Sequence, residues 1–526
     1  MPINAASRYG ALESQRFTFL NRGRECAKLT IPHLLPPGGY TSATELPTPF
    51  QGIGSRGVNN LASKLLLSLL PPNSPFFRLV VDQFTLKQMQ GMEQVQTEIE
   101  SALGEVERAV MAEIETSNLR AVVFEAIRHL IVTGNCLLYL PDEGGVRVFH
   151  LTQFVVDRDP MGELEEIIVK ETVCADDLPE EVRGLLGAEM PDESHPHQDR
   201  NVDLYTWLCR EGSKFKVHQE VKGVVIPGSE GSYPVEKSPF IPLRWNRISG
   251  DSYGRGMVEE FLGDLRSLEA LSQAIVEGSA AAAKVLFLVA PNSTTRPRTL
   301  AESPNGAIVE GNAVDVSTLQ VNKQADFRVA FEAINQINDR LAHSFLLNSA
   351  VQRNGERVTA TEIRMMAQEL EDALGGVYST LSQEFQLPLV QRVMAKMQKS
   401  RRLPKLPKDI VRPVVVTGLE ALGRGHDLNK LDVFVAGVAQ TLGPQALAQF
   451  VNLRNYMERR ATAIGIDTLG LVKTEEEIAQ EQQQAQMAAM AQNLGPSGIQ
   501  ALGRMGVEGM KGQQQQLPPG GAAPNG

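Results

Sequence analysis

Two apolar stripes at helical spacing, separated by a proline-rich stretch, constrain this chain more than any other feature. Met257, Phe261, Leu265, Leu268, Leu271 and Ile275 recur three and four residues apart, with Glu259, Glu260, Asp264, Arg266 and Glu269 on the polar side. Phe327, Phe331, Ile334, Ile337, Leu341 and Phe345 repeat the pattern. Each set is the buried face of an amphipathic helix. Carried to Lys284, the first helix would be roughly 45 Å long. Its end, Ser279 to Ala283, is small enough for close contact with a neighbouring helix. Between the stripes, 285–325 holds Pro291, Pro297 and Pro304 and two strand-like runs, Ala307–Glu310 and Val316–Val321. Helix, excursion and helix can run antiparallel with the excursion at their tip. A thin hairpin carries more apolar surface than it can bury against itself. Leu265, Leu268, Ile337 and Leu341 are therefore expected to be covered by neighbouring copies of the chain.

The rest of the chain alternates in period. Residues 8–28, Val58–Leu70, 93–116 and 119–133 read as helices, the second stopped by Pro71-Pro72. The period then drops to two. Asn135–Leu140 with Val146–Leu151, Phe154–Asp157 with Glu166–Val173, and Leu204–Arg210 with Lys214–Val221 each flank a turn signal and read as hairpins. The region 135–245 is expected to be antiparallel sheet, interrupted by a polar insertion near 176–200. Beyond the second stripe, Ser349–Val358 is polar, and Thr359-x-x-Glu362 is a capping box. Its helix ends at Gly375-Gly376, and Val377 to about Lys399 is again helical, as are 427–460 and 473–492. Lys511–Gly526 lacks apolar anchors and is expected to be disordered. The fold class is α+β, predominantly helical, and a chain of 526 residues is expected to form two or more structural units.

Motifs for catalysis are weak. Gly52-Ile-Gly54-Ser-Arg-Gly57 matches Gly-x-Gly-x-x-Gly, but Thr48-Pro-Phe-Gln51 before it is no buried strand, so a loop that starts a helix is the favoured reading over a dinucleotide site. There is no Gly-x-x-x-x-Gly-Lys-Ser/Thr loop. His195-Pro-His197 has no third ligand at metal-site spacing, and no metal or cofactor is expected. Asp157, Asp159, Asp176 and Asp177 fall in turn-rich segments that favour aspartate. Cys26, Cys136, Cys174 and Cys209 form no Cys-x-x-Cys pair and read as buried free thiols. The apolar runs Leu65–Leu70 and Val285–Ala290 are too short to cross a bilayer. Met1 to Gly10 lacks a signal-peptide layout, so use without secretion is expected.

Several runs nevertheless carry a resemblance. Arg353-Asn-Gly-Glu-Arg-Val-Thr-Ala-Thr-Glu362-Ile, Glu369 to Tyr378 and Leu387-Pro-Leu-Val390 resemble the portal, or head-to-tail connector, proteins of short-tailed bacteriophages. So do Val58 to Lys64, Asp251-Ser-Tyr-Gly-Arg255, Gly263 to Glu269 and Leu347 to Gln352. The likeness runs in order from about residue 8 to about 475, and is greatest to the group encoding its own single-subunit RNA polymerase. It implies a radial ring, usually of about twelve subunits, with a channel for double-stranded DNA and no enzymatic role. By the same resemblance 1–250 would be wing, 251–284 the first stem helix, 285–325 clip and 326–348 the second stem helix. A tunnel loop would follow at 349–358, wing helices at 359–415, a crown at 416–492 and a disordered tail at 493–526. Implied partners are the major capsid and scaffolding proteins, the terminase packaging motor, the tail adaptor and the internal core proteins. The implied location is the capsid vertex of the virion, and the host cytoplasm during assembly, with no membrane anchor.

Charge fits that reading. Lysine plus arginine number 51 against 62 acids, a net −11, and a protein that grips DNA normally carries a basic surface. An acidic passage lets a duplex slide. Within it, the tunnel loop with Gln352, Arg353, Asn354, Glu356 and Arg357 would add local positive charge, and Gly355 a pivot. Arg296 and Arg298 are the expected docking residues of the clip. The competing readings are a nucleotide-binding enzyme using Gly52–Gly57 and a structural adaptor without a channel.

Overall fold

Helix α1 (Ala5–Leu29) starts where the Asn4 side chain accepts a hydrogen bond from the Ser7 backbone N–H, and α2 (Ile53–Leu69) buries Val58, Leu61, Leu65 and Leu69 on one stripe. These elements come from a computed structural model. It describes residues 4–41, 43–72, 75–81, 93–186, 201–282, 286–293, 295–304, 306–319, 324–347, 373–404, 411–415, 432–441, 443 and 456–457. The chain divides into two compact units, Met1–Leu422 and Gly423–Gly526. In the second, 432–441 is helical and the Tyr456 hydroxyl donates to Asp432 at 2.5 Å.

In the first unit, β1 (Phe77–Val81) precedes α3 (Glu93–Thr116) and α4 (Leu119–Thr133), the last two with the bounds that the apolar period predicts. Gly134, at φ 78°, closes α4 and turns the chain into β2 (Asn135–Tyr139). β2 is the centre of a three-stranded antiparallel sheet, between β3 (Arg147–Phe149) and β10 (Phe240–Arg244). The larger sheet runs β4 (Phe154–Arg158), β5 (Leu164–Cys174), β6 (Asn201–Glu211), β7 (Lys214–Val221) and β8 (Val224–Val225), with β9 (Gly231–Pro234) also on β7. All pairings are antiparallel and the three expected hairpins form, with Leu137 opposite Phe149, Val156 opposite Ile167 and Leu208 opposite Val217. The polar insertion includes a short helix, α5 (Glu180–Leu186); the His195-Pro-His197 reading falls outside the described residues.

α1 lays Tyr9 and Leu12 against Val155, Ile168 and Tyr205 of the large sheet. Arg16, 1% exposed, is tolerated there because its guanidinium donates to the Phe154 carbonyl, the Tyr9 hydroxyl and Glu13. One core joins α2, α3, α4, the small sheet and the helices that follow. The cysteines divide: all are free, Cys26 and Cys136 are buried, Cys174 is half-buried and Cys209 is exposed, because strand alternation turns it outward.

The first long stripe is interrupted. It forms α6 (Met257–Glu260) and α7 (Leu262–Ala282) with a break at Phe261, so no continuous helix runs from Tyr253. β11 (Leu286–Val289), α8 (Pro297–Glu302) and β12 (Val316–Leu319) make up the excursion, and α9 (Gln324–Ser344) returns. The strand partner of β12 is β11, not Ala307–Glu310, which is irregular. A helical run at 373–381 passes through a π-turn, Ser382–Gln386, into α10 (Leu387–Lys399). β13 (Val411–Val415) then pairs with β1. No described helix is long and apolar enough to cross a membrane.

Candidate functional site: the base and tip of the helical hairpin

α7 and α9 are antiparallel, since Arg340 pairs with Asp264 at 2.7 Å while Phe327 lies over Gly278. A Cβ on Gly278 would come within 2.8 Å of the Phe327 ring, so the glycine sets the close approach of the two helices. The burial at their base corrects one expectation. Leu265 and Leu341 are 0% exposed, Leu268 1% and Ile337 9% within a single chain. They belong to the chain's own core, closed by α2 and by Phe261 against Phe345, and need no neighbouring copy to cover them. The apolar side chains left bare on the hairpin are Val276 (54% exposed), Val329 (68%) and Phe331 (60%).

The base is held by backbone carbonyls and ion pairs. Asn60 donates to the Phe345 and Leu346 carbonyls at 3.1 and 3.0 Å, and the Lys64 ammonium to the Leu346 carbonyl at 2.8 Å. Two residues of α2, four apart, thus satisfy the C-terminal end of α9, where cationic donors are favoured. Leu346 is left-handed there, at φ 54°. Gly57 admits the Phe345 side chain: a Cβ would lie 2.5–2.9 Å from its Cγ, Cδ2 and Cβ. Gly54 admits the Leu29 carbonyl at 2.7 Å in the same way. The Gly52–Gly57 run is therefore a packing motif at the start of a helix. No strand precedes it among the described residues.

At the other foot, Asn135 and Gly254 exchange two hydrogen bonds of 2.7 Å, and the Tyr253 hydroxyl accepts from the Val156 N–H. Burial raises the Tyr253 pKa, so the hydroxyl stays neutral. A Cβ on Gly256 would meet the Gly134 nitrogen and the Ile131 and Val132 carbonyls at 2.9 Å. Arg255, Glu259, Arg22, Glu25 and Arg266 then alternate in charge between α1, α6 and α7. Glu269 accepts from the Phe50 and Gln51 N–H groups. The run Val58–Lys64 thus meets the end of the second stripe at Phe345 and Leu346, and Asp251–Arg255 meets Asn135 and Val156. Asn60, Lys64 and Asn135 were not singled out by sequence; the spacing of four between the first two was the available signal.

At the tip, Thr295 is buried and its hydroxyl accepts from the Asn312 N–H at 2.9 Å, so it staples the excursion together. Arg296 and Arg298 are both exposed, the latter paired with Glu302 at 2.9 Å. Leu288, Ile308 and Val314 of the same excursion are also exposed. Gln352, Arg353, Asn354, Glu356 and Arg357 lie outside the described residues, as do the Thr359 capping box and the C-terminal tail. No cluster of potential metal ligands occurs among the described residues.

A helical hairpin clamped at its foot, with Val276, Val329 and Phe331 bare among polar residues, leaves apolar surface for another chain to cover. The chain belongs to the bacteriophage head-to-tail connecting proteins, whose family model matches residues 4–472. Among its relatives, the portal protein of Escherichia phage T7 is 41% identical over 99% of this chain and 96% of its own length. That of Enterobacteria phage T3 is 42% identical over the same shares. The portal protein of Enterobacteria phage SP6 is 32% identical over 90% of this chain and 92% of its own.

Proposed function

We propose that this chain is a portal subunit. Copies of it form a ring at one vertex of the phage capsid, and double-stranded DNA passes through the central channel when the genome is packaged and ejected. The observation that carries this reading is the likeness to portal proteins along nearly the whole chain. The role is structural, not catalytic, and it gives the two long helices a use: α7 and α9 are the stem, and 285–325 the clip. Residues 1–250 and 359–415 are wing and 416–492 crown.

Neighbouring stems meet through Val276, Val329 and Phe331, in place of the residues that the chain buries itself. The clip, with Arg296, Arg298 and its exposed Leu288, Ile308 and Val314, docks the packaging motor first and the tail adaptor later. The tunnel loop 349–358 departs from the end of α9, which Asn60 and Lys64 hold. Around the ring, Arg353 and Arg357 form bands of positive charge in an acidic channel. Their guanidinium forks contact phosphates in passing without reading bases. Capsid, scaffolding and internal core proteins are the remaining partners, and twelve the subunit number on the resemblance. Negative-stain images of the purified chain test this: rings with a central hole are expected, and rods or monomers would overturn it.

A further inference from the structure

Two guanidiniums pair with one carboxylate beside the turn between β4 and β5, and a third lies against backbone carbonyls there. Arg158 donates through Nη1 to the Gly162 carbonyl and through Nη2 to the Pro242 carbonyl, both at 3.0 Å. Arg244, 3% exposed, donates through Nη2 to Glu384 Oε1 at 2.7 Å and through Nη1 to the Asp251 carbonyl at 3.4 Å. Arg247 Nη1 lies 3.7 Å from the same Oε1, and its side chain is 47% exposed. The nearby acids are used elsewhere: Asp157 pairs with Arg8, and Asp159 accepts from the Glu163 N–H. Among the described residues Glu384 is thus the only carboxylate paired with Arg244 and Arg247, and Arg158 donates to carbonyls, which leaves an excess of positive charge.

Two further observations point to a missing anion. The Nε–H groups of Arg158 and Arg244 are buried without an acceptor. There is also room: a Cβ at Gly162 would stand 3.5 Å from Arg247 Nη2 and 3.6 and 3.9 Å from the two Nη atoms of Arg244. Glycine at this turn, at φ 89°, leaves that space open. Burial first, and then the charge of Arg244, hold the Arg158 pKa down to about 10, the mark of a cation short of counter-charge.

We propose that Arg158, Arg244 and Arg247 form a binding site for a phosphate-class oxyanion above Gly162. Arg247 is its solvent-facing arm and Arg244 its buried floor. Guanidinium forks suit such an oxyanion because they present parallel N–H donors and stay charged. The oxyanion is either free inorganic phosphate or a phosphate of the DNA backbone, and only the second source rests on the portal reading.

The test uses the full chain. Thermal unfolding is followed as sodium phosphate is raised, against sodium chloride at matched ionic strength. Wild type should show a saturable upward shift specific to phosphate. Arg247→Gln should unfold at the wild-type temperature without phosphate, and need about tenfold more phosphate for the same shift, the effect of losing one charged hydrogen-bonding arm. Arg247→Lys should fall between, and Arg108→Gln, exposed on α3, should respond as wild type. No phosphate-specific shift, or an equal shift in wild type and Arg247→Gln, would overturn the site. Binding of a short labelled duplex separates the sources. Weaker binding to Arg247→Gln assigns the backbone phosphate, and unchanged binding with the phosphate response lost assigns the free anion. Ring images of the same samples test the portal reading separately.

Discussion

Gly57 separates two readings of the Gly52–Gly57 run by measurement. In Gly57→Ala the new methyl would overlap the Phe345 side chain, with ring atoms Cγ and Cδ2 at 2.5 and 2.7 Å and Cβ at 2.9 Å. Contacts that short force the ring, and with it the end of α9, to move. Overpacking of a closed core typically costs about 1–3 kcal/mol. Because Phe345 is itself 0% exposed, it has no solvent-side space to retreat into, so the upper half of that range applies. The expected loss is about 2–3 kcal/mol, read by thermal or urea unfolding of the full chain. Phe345→Ala removes Cγ and Cδ2, the two closest atoms, and leaves a cavity of its own, at about 3–5 kcal/mol. The double variant Gly57→Ala with Phe345→Ala should then be more stable than the two single losses together imply, by about 1 kcal/mol or more, as touching residues couple. A nucleotide loop behaves differently: Gly57→Ala would abolish nucleotide binding, and Phe345→Ala would not restore it. Additive losses in the double variant would refute the packing account.

Three shorter expectations follow. Burial, reinforced by the neighbouring charges, holds His129 down to about 3, and burial holds His150 down to about 4, while both titrate near 6.5 when unfolded. The unfolded chain therefore binds more protons below pH 6.5. The stability from these neutral rings is complete above that pH and lost as pH falls towards about 4 and then about 3. The slope is up to about 1.4 kcal/mol per pH unit for each ring. Urea unfolding at pH 7 and pH 5 should show it, and an unchanged slope in His129→Gln would count against it. Phe331→Asp should leave the folded chain intact yet block rings, since its side chain is 60% exposed in the single subunit, whereas Leu265→Asp should unfold the chain. Normal rings from Phe331→Asp would remove that residue from the stem contact. Arg353→Ala with Arg357→Ala should assemble normally but retain less packaged DNA; full genome retention in virions carrying both changes would end the proposed phosphate-contact role of the loop.

What the sequence made legible was local. Apolar period set the bounds of α3 and α4, and turn residues set three hairpins, because each signal lies within a few residues of the structure it specifies. β10 on β2 and β13 on β1 were not foreseen, since their partners are far away along the chain and share no pattern with it. The excursion failed for a related reason. Val285–Ala290 shows no alternation that marks it as a strand and Ala307–Glu310 reads as one, while the backbone pairs Leu286–Val289 with Val316–Leu319. The break at Phe261 is not legible because the side-chain period continues through it.

The helical hairpin carries the more general lesson. A stripe of Leu265, Leu268, Ile337 and Leu341 says that a helix face is covered; it does not say whose atoms cover it. Here α2 supplies the cover, admitted by Gly57 and tied by Asn60 and Lys64. That distinction changes the order of events on the portal reading. A subunit whose stem base is closed by its own residues completes its core before it meets another copy. The surface left for ring contact, with Val276, Val329 and Phe331, is small and partly polar, as suits an interface that forms after folding. The charged ladder from Arg255 to Arg266 also lies within one chain, so salt acts on the seating of each stem on its own α1 as well as on contacts between subunits.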